Sequence, residues 1–243
     1  MSKAVIVFSG GQDSTTVLGM ARHMGYDCYA IGFDYGQKHA VELQQARKIA
    51  AKLGVPYHVV NIREFGKLVG AGSALLNNGQ EVTDASRIVK DVPASFVPNR
   101  NAVMLTIAHG YAQMIEADTV WTGVCQTDYS GYPDCRLEFI QKLNVALNLG
   151  YKTQISILTP LMHCTKGETF KLAEEAGVLD LVIEESHTCY NGIRQVGPTM
   201  PDRWEWGHGC GECPACLLRA KGWEDYKAME HIAEGRVTGK AAQ

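Results

Sequence analysis

The 243 residues carry 46% hydrophobic side chains, enough to bury a full core, and the composition excludes a disordered or fibrous chain. Lys plus Arg number 23 against 26 Asp plus Glu, a formal charge of -3, so no bulk attraction draws a polyanion and tRNA or DNA is disfavoured as the main partner. Nothing approaches a membrane-spanning stretch, and Ala4 to Phe8 is far shorter than the apolar core of a signal peptide, so a cytoplasmic location without a membrane partner is expected.

In chain order, Ala4 to Phe8 reads as a buried strand, Ser14 to Met24 as a helix and Cys28 to Asp34 as a second strand. Lys38 to Leu53 follows as an amphipathic helix closed by Gly54, then Pro56 to Asn61 as a third strand. This alternation predicts a parallel sheet with right-handed crossovers, whose ligands lie beyond the carboxyl ends of the strands. Between Gly66 and Val97 the periodicity fades, and Gly70, Gly72, Asn77, Asn78 and Gly79 mark a loop or partly helical lid. Asn101 to Glu116, apolar nearly all round, predicts a buried helix, followed by a strand over Asp118 to Gly123. Asp134 is placed to cap a helix running to about Leu149. Ile155 to Leu158 is the next strand, and Thr165-Lys-Gly-Glu168 has capping-box spacing for a helix to Ala176.

Ser9-Gly-Gly-Gln-Asp-Ser14 stands between a strand and a helix start, where adjacent glycines let backbone N–H groups close on a phosphate at the positive helix end. Ser9, Ser14 and Thr15 add hydroxyls, and Asp13 can hold Mg²⁺ against the phosphates. The string resembles the PP-loop of the ATP pyrophosphatase superfamily; a Walker A loop would need Gly-Lys-Ser or Gly-Lys-Thr after a four-residue gap. The resemblance implies a Rossmann-like α/β sheet of the adenine nucleotide α-hydrolase type. It further implies adenylation of a substrate oxygen, loss of pyrophosphate, and displacement of AMP by an amine or sulfur nucleophile. On this reading residues 1–185 form the ATP-binding α/β domain, with Phe8, Ser9, Gly10, Gly11, Gln12, Asp13, Ser14 and Thr15 at the nucleotide. Phe33 to Gln37, including Tyr35, would line adenine and ribose through backbone groups.

Four of the eight cysteines gather late in the chain: Cys210, Cys213 and Cys216, with Cys189 some twenty residues earlier. Four thiolates close a tetrahedral structural zinc site, and three closely spaced cysteines plus a distant one also suit an iron–sulfur cluster. His187 and His208 stand beside ligand candidates, but four cysteines suffice. A zinc ion here would pin the region 186–243 against the core and shape the substrate pocket. Cys28, Cys125, Cys135 and Cys164 read as scattered buried thiols.

Further strings narrow the resemblance: Phe33-Asp-Tyr-Gly-Gln37, Phe96-Val-Pro-Asn-Arg-Asn101, Thr122-Gly-Val-Cys-Gln-Thr-Asp128, Ser130-Gly-Tyr-Pro-Asp-Cys-Arg136 and Thr188-Cys-Tyr-Asn191. With the loop and the cysteines, they resemble the 7-cyano-7-deazaguanine synthases of queuosine biosynthesis over nearly the entire chain. That implies a ligase taking 7-carboxy-7-deazaguanine, ammonia and ATP through an amide to the nitrile, and a homodimer. Arg100 is the candidate for the substrate carboxylate, since a guanidinium pairs such a group in a bidentate fork. Asp128 or Asp134 would read the donor edge of the deazaguanine, with Tyr129 or Tyr132 as a flat wall. Lys166 would contact the ATP phosphates. Two departures from the pattern that the resemblance implies stand out: the stretch Arg194 to Gly209, with Pro198, Pro201, Trp204 and Trp206, makes the gap between Cys189 and Cys210 longer than expected of the family, and Asn99 stands where the resemblance implies a smaller residue. Two rival readings, a PP-loop enzyme modifying a tRNA base and a zinc-ribbon nucleic-acid-binding module, are opposed by the acidic balance. Free ammonia is the expected nitrogen source, because the length leaves no room for a glutaminase.

Overall fold

The computed structural model describes residues 1–37, 41–69, 73, 75–76, 88–89, 92–93, 95–126, 131–194 and 203–239. Lys3–Val7 (β1), Asp27–Asp34 (β2) and Tyr57–Asn61 (β3) alternate with Gln12–His23 (α1) and Val41–Leu53 (α2). After Arg63–Val69 (α3) come the two-residue strands Ile88–Val89 (β4) and Val92–Pro93 (β5), which pair with each other antiparallel. Arg100–Met114 (α4), Thr119–Trp121 (β6), Leu137–Tyr151 (α5) and Ser156–Leu158 (β7) continue the alternation. Lys166–Glu175 (α6), Leu179–Glu184 (α7) and Pro214–Gly239 (α8) complete it.

The main sheet is parallel throughout, in the order β3-β2-β1-β6-β7. The chain therefore runs outward from β1 through β2 to β3 and returns to the other side of β1 at β6. The gap beyond the carboxyl ends of β1 and β6 is the switch point at which such sheets bind ligands. Strand alternation fills both faces. Ala4, Ile6 and Phe8 meet Val17, Leu18, Ala46 and Ile49 of α1 and α2 on one face, while Val5, Ile31 and Val120 meet Leu105, Ala108 and Ile140 of α4 and α5 on the other. A third cluster, built on Phe170, Val182, Trp206 and Tyr226, joins α6 and α7 to the C-terminal segment.

Several expectations change. The helix expected to be buried all round, Asn101 to Glu116, is buried only along Asn101, Leu105, Ala108, His109 and Ala112, and Met114 is exposed, because a helix covering a sheet needs only one apolar stripe. Of the stretch expected as a loop or partly helical lid, Gly66 to Val69 is helical, as the second alternative has it, and most of Gly70 to Val97 lies outside the described residues. Asp134 does not cap α5. It sits in a short 3₁₀ turn, Pro133–Cys135, and its Oδ2 accepts the Asn101 N–H at 3.1 Å, so it caps α4 across the fold instead. The Thr165–Glu168 capping box at the start of α6 is formed as the spacing predicts.

Phe170 is fully buried on α6, and its ring meets Trp223 and Tyr226 of α8 at 5.2 and 6.1 Å between centroids. It is the central apolar contact between α6 and α8. Phe170→Ala should cost about 3–5 kcal/mol in urea denaturation, and a loss below ~1 kcal/mol would show that the helix docks by other contacts.

Candidate functional site

The loop after β1 turns at Gly10, where φ is +80°. A Cβ there would lie 2.7 Å from the Ala46 nitrogen and 2.9 Å from the Glu42 carbonyl oxygen, so α2 can approach this closely only against glycine. On the other side Gly123, just past β6, lets the chain pass Asp13; a Cβ at Gly123 would lie 3.1 Å from the Asp13 backbone carbon. Inside the loop the Ser14 hydroxyl accepts the Ser9 N–H at 3.3 Å and lies 3.2 Å from the Ser9 hydroxyl. Helix α1 starts at Gln12, and its N-cap, Gly11, has no side chain to cap it; the Gln12 N–H goes to the Thr188 hydroxyl at 3.4 Å, and the N–H groups of Asp13 and Ser14 lie at the positive end of the helix, where an anion is favoured.

Lys166, the first residue of α6, donates to Asp13 Oδ2 at 2.6 Å across the opening of the loop. The other Asp13 oxygen, Gln12 Oε1 and Thr15 Oγ1 are buried without hydrogen-bond partners among the described residues. Such orphans are rare unless a ligand or ion completes them. The predicted loop residues are therefore brought together with Lys166. Phe8 and Phe33 are core residues, 0% and 5% exposed, and present only their backbones, because strand alternation turns both rings inward.

Arg100 opens α4 with its guanidinium 5.7 Å from the Tyr35 ring centroid and 5.9 Å from that of Tyr132. Burial opposes the charge, but Tyr35, Tyr132 and Asp134 offset this and leave its pKa above the usual arginine value. No carboxylate ion-pairs with Arg100 among the described residues. Tyr35 thus stands beside Arg100 through its side chain, where only backbone contacts had been expected of it. Asp128 and Tyr129 lie outside the described residues. Sequence reasoning missed two members of this group, Glu42 on the first turn of α2 and Tyr190 after Cys189, both in electrostatic contact with Arg100. Tyr190 falls inside the string Thr188-Cys-Tyr-Asn191, and Glu42 lies outside every such string.

Cys189, Cys210, Cys213 and Cys216 are all buried, with sulfur atoms within 4.8 Å of one another, and could hold a metal ion. Pro214 starts α8, which puts Cys213 just before the helix and Cys216 in its first turn. The Cys210 sulfur accepts N–H groups from Glu212 at 3.4 Å and Cys213 at 3.3 Å, as thiolate ligands do. The crowding lowers the Cys213 pKa through thiol hydrogen bonds from Cys189 and Cys216. His187 and His208 are not in the cluster: the His187 backbone N–H donates to Gly10 O at 2.9 Å, and His208 is held between the carbonyls of Arg194 and Glu184. Within Arg194 to Gly209, Trp204 and Trp206 stack 5.9 Å apart, and Trp206 is buried in the cluster around the cysteines.

Residues 3–227 match the model of the family described as "Queuosine biosynthesis protein QueC". The chain belongs to the QueC family. It is 52% identical over 228 residues to a 7-cyano-7-deazaguanine synthase of Wolinella succinogenes, spanning 93% of this chain and 94% of that one. It is 48% identical over 224 residues to the protein of the same name from Helicobacter pylori, spanning 92% and 95%. Among solved structures, a 4-thiouridine synthetase in an RNA complex with bound ATP superposes with a TM-score of 0.51 at 19% identity, over 75% of this chain and 42% of that one, a likeness of fold alone. The phosphate loop, the cysteine cluster and the Arg100 group all lie within the span matched to QueC.

Burial raises the Glu42 pKa from 4.5 to about 7. Between those values the folded chain keeps a proton that the unfolded chain releases, so this group costs stability as pH rises through that window. Glu42→Gln should therefore be more stable relative to wild type at about pH 8 than at about pH 5. Equal differences at both pH values, by urea denaturation, would mean that Glu42 titrates as an ordinary glutamate.

Proposed function

We propose that the chain is an ATP-dependent carbon–nitrogen ligase, converting 7-carboxy-7-deazaguanine and ammonia to 7-cyano-7-deazaguanine through an adenylated acid and an amide. The observation that carries this reading is the match to QueC over residues 3–227, with relatives of near 50% identity that bear the synthase name.

The residues suit the roles. The α1 N-terminus and the hydroxyls of Ser9 and Ser14 would receive the pyrophosphate end of ATP, and Lys166 would offset the charge that grows there as the α–β bond breaks. Asp13, one oxygen on Lys166 and the other without a partner among the described residues, suits a hydrated Mg²⁺ carried in with ATP. When bound, that ion supplies positive charge against the leaving pyrophosphate. Arg100 would hold the substrate carboxylate beside the α-phosphorus, stacked between Tyr35 and Tyr132. The heterocycle would lie on Tyr132 or Tyr129, with the carboxylate of Asp134 or Asp128 taking its donor edge. One Asp134 oxygen already accepts from Asn101, which leaves the other for this task.

The chemistry repeats at one place. The acid oxygen attacks the α-phosphorus, pyrophosphate leaves, and ammonia displaces AMP to give the amide. The amide oxygen then attacks a second ATP, and loss of AMP with the amide protons leaves C≡N. Zinc fits the four thiols as a closed, structural ion taking no part in these steps. Free ammonia, a cytoplasmic location and a homodimer complete the proposal.

Purified protein incubated with 7-carboxy-7-deazaguanine, ammonia and Mg-ATP should yield the nitrile and AMP by mass analysis. Arg100→Met should lower kcat/KM for the acid about 100-fold, the loss of one charge-assisted pair, while ATP binding holds. AMP without nitrile would overturn the end point, and an unchanged kcat/KM would remove Arg100 from the carboxylate.

A further inference from the structure

Three consecutive residues touch both halves of the molecule. The His187 N–H donates to Gly10 O at 2.9 Å, and the Thr188 hydroxyl accepts the Gln12 N–H at 3.4 Å, so this run clasps the phosphate loop. The next residue, Cys189, belongs to the thiol cluster. The Thr188 hydroxyl is held from the far side by Arg219, whose Nη1 donates to it at 3.1 Å. Arg219 is 1% exposed and sits on α8, one turn past Cys216. Its Nε donates to Trp206 O at 2.9 Å and its Nη2 to Val182 O at 2.6 Å, and its guanidinium lies between the rings of Phe170 and Trp206. A buried guanidinium fixed on all sides cannot follow a shifting partner. Thr188 can therefore keep its place on the loop only while α8, which carries Cys216, keeps its own.

We propose that the run His187-Thr188-Cys189, fixed by Arg219, couples the phosphate loop to the cysteine cluster, so that nucleotide binding and metal retention strengthen each other. The inference rests on the reading of the loop as the ATP site and of the cluster as a zinc site. Thr188 and Arg219 are positioning residues: neither touches reacting atoms. Linkage requires the effect to be reciprocal, with nucleotide raising zinc affinity by the factor that zinc raises nucleotide affinity.

The test uses the zinc-loaded full chain and Mg-α,β-methylene-ATP, whose α–β bridge resists cleavage. Zinc affinity is read by titration with a zinc-selective chromophoric chelator, with and without saturating analogue, and analogue affinity is read by calorimetry. In wild type the analogue should tighten zinc about fivefold or more, the lower end of common coupling factors. Thr188→Val, which keeps the shape and removes the hydroxyl, should reduce the factor to within twofold of unity at unchanged zinc content. Thr188→Ser should restore it, separating the clasp from any general loss of packing. If wild type binds both ligands with a factor of one, the coupling is overturned while the ATP and zinc readings stand. If Thr188→Val retains the full factor, the path through Thr188 is overturned. If wild type does not bind the analogue, the ATP reading fails and the coupling with it.

Discussion

Backbone N–H groups bind a polyanion well only when they are held in place before it arrives, and here that constraint is met at Gly10. The left-handed turn there brings the loop so close to α2 that no side chain fits between them. The carbonyl of the same residue is taken by His187 from the C-terminal segment. Gly123 completes the cradle from the neighbouring strand of the switch point. The docking of α2 and the path of the chain at 187–189 thus meet at one residue without a side chain. Pre-arranged dipoles of this kind avoid reorganisation as charge develops, which is where electrostatic catalysis gains most.

Charge is distributed around the cradle in two separate settings. Lys166 and Asp13 are joined at 2.6 Å at the mouth of the loop, with side-chain exposures of 11% and 29%, so this pair is shielded from solvent screening yet open to a ligand. Arg100 stands apart between two tyrosines, with the charge of Asp134 felt at a distance and no carboxylate within ion-pair range among the described residues. The lysine is thus neutralised by direct contact, whereas the arginine keeps its charge against aromatic faces. Glu42 interacts with the Arg100 setting, and burial raises its pKa to about 7.

Much of this was legible in the residues because strand alternation, glycine doublets and the Cys-x-x-Cys-x-x-Cys spacing are local signals. The parallel α/β alternation and the metal-capable quartet follow from such patterns. What escaped depends on contacts between distant elements. Asp134 has the spacing of a cap for α5, yet it caps α4, since a carboxylate serves whichever helix N-terminus tertiary packing brings to it. The apolar surface of α4 suggested burial all round, and sequence does not reveal how many faces a neighbour covers. Glu42 sits in an ordinary helical first turn; only the approach of α2 to Gly10 carries it into the site. Arg219 carries no local signal in the sequence; its burial comes from Phe170, Trp206 and Thr188, which close around it from other segments.

The central claim is that substrate oxygen leaves on AMP at both stages. It is tested most directly by supplying 7-carboxy-7-deazaguanine with both carboxylate oxygens replaced by ¹⁸O and locating the label by mass spectrometry of the nucleotide products. The account predicts that both labels appear in AMP, one in each molecule formed, with none in pyrophosphate or water. Label in inorganic phosphate, with ADP in place of AMP, would contradict adenylation and with it the role assigned to the phosphate loop.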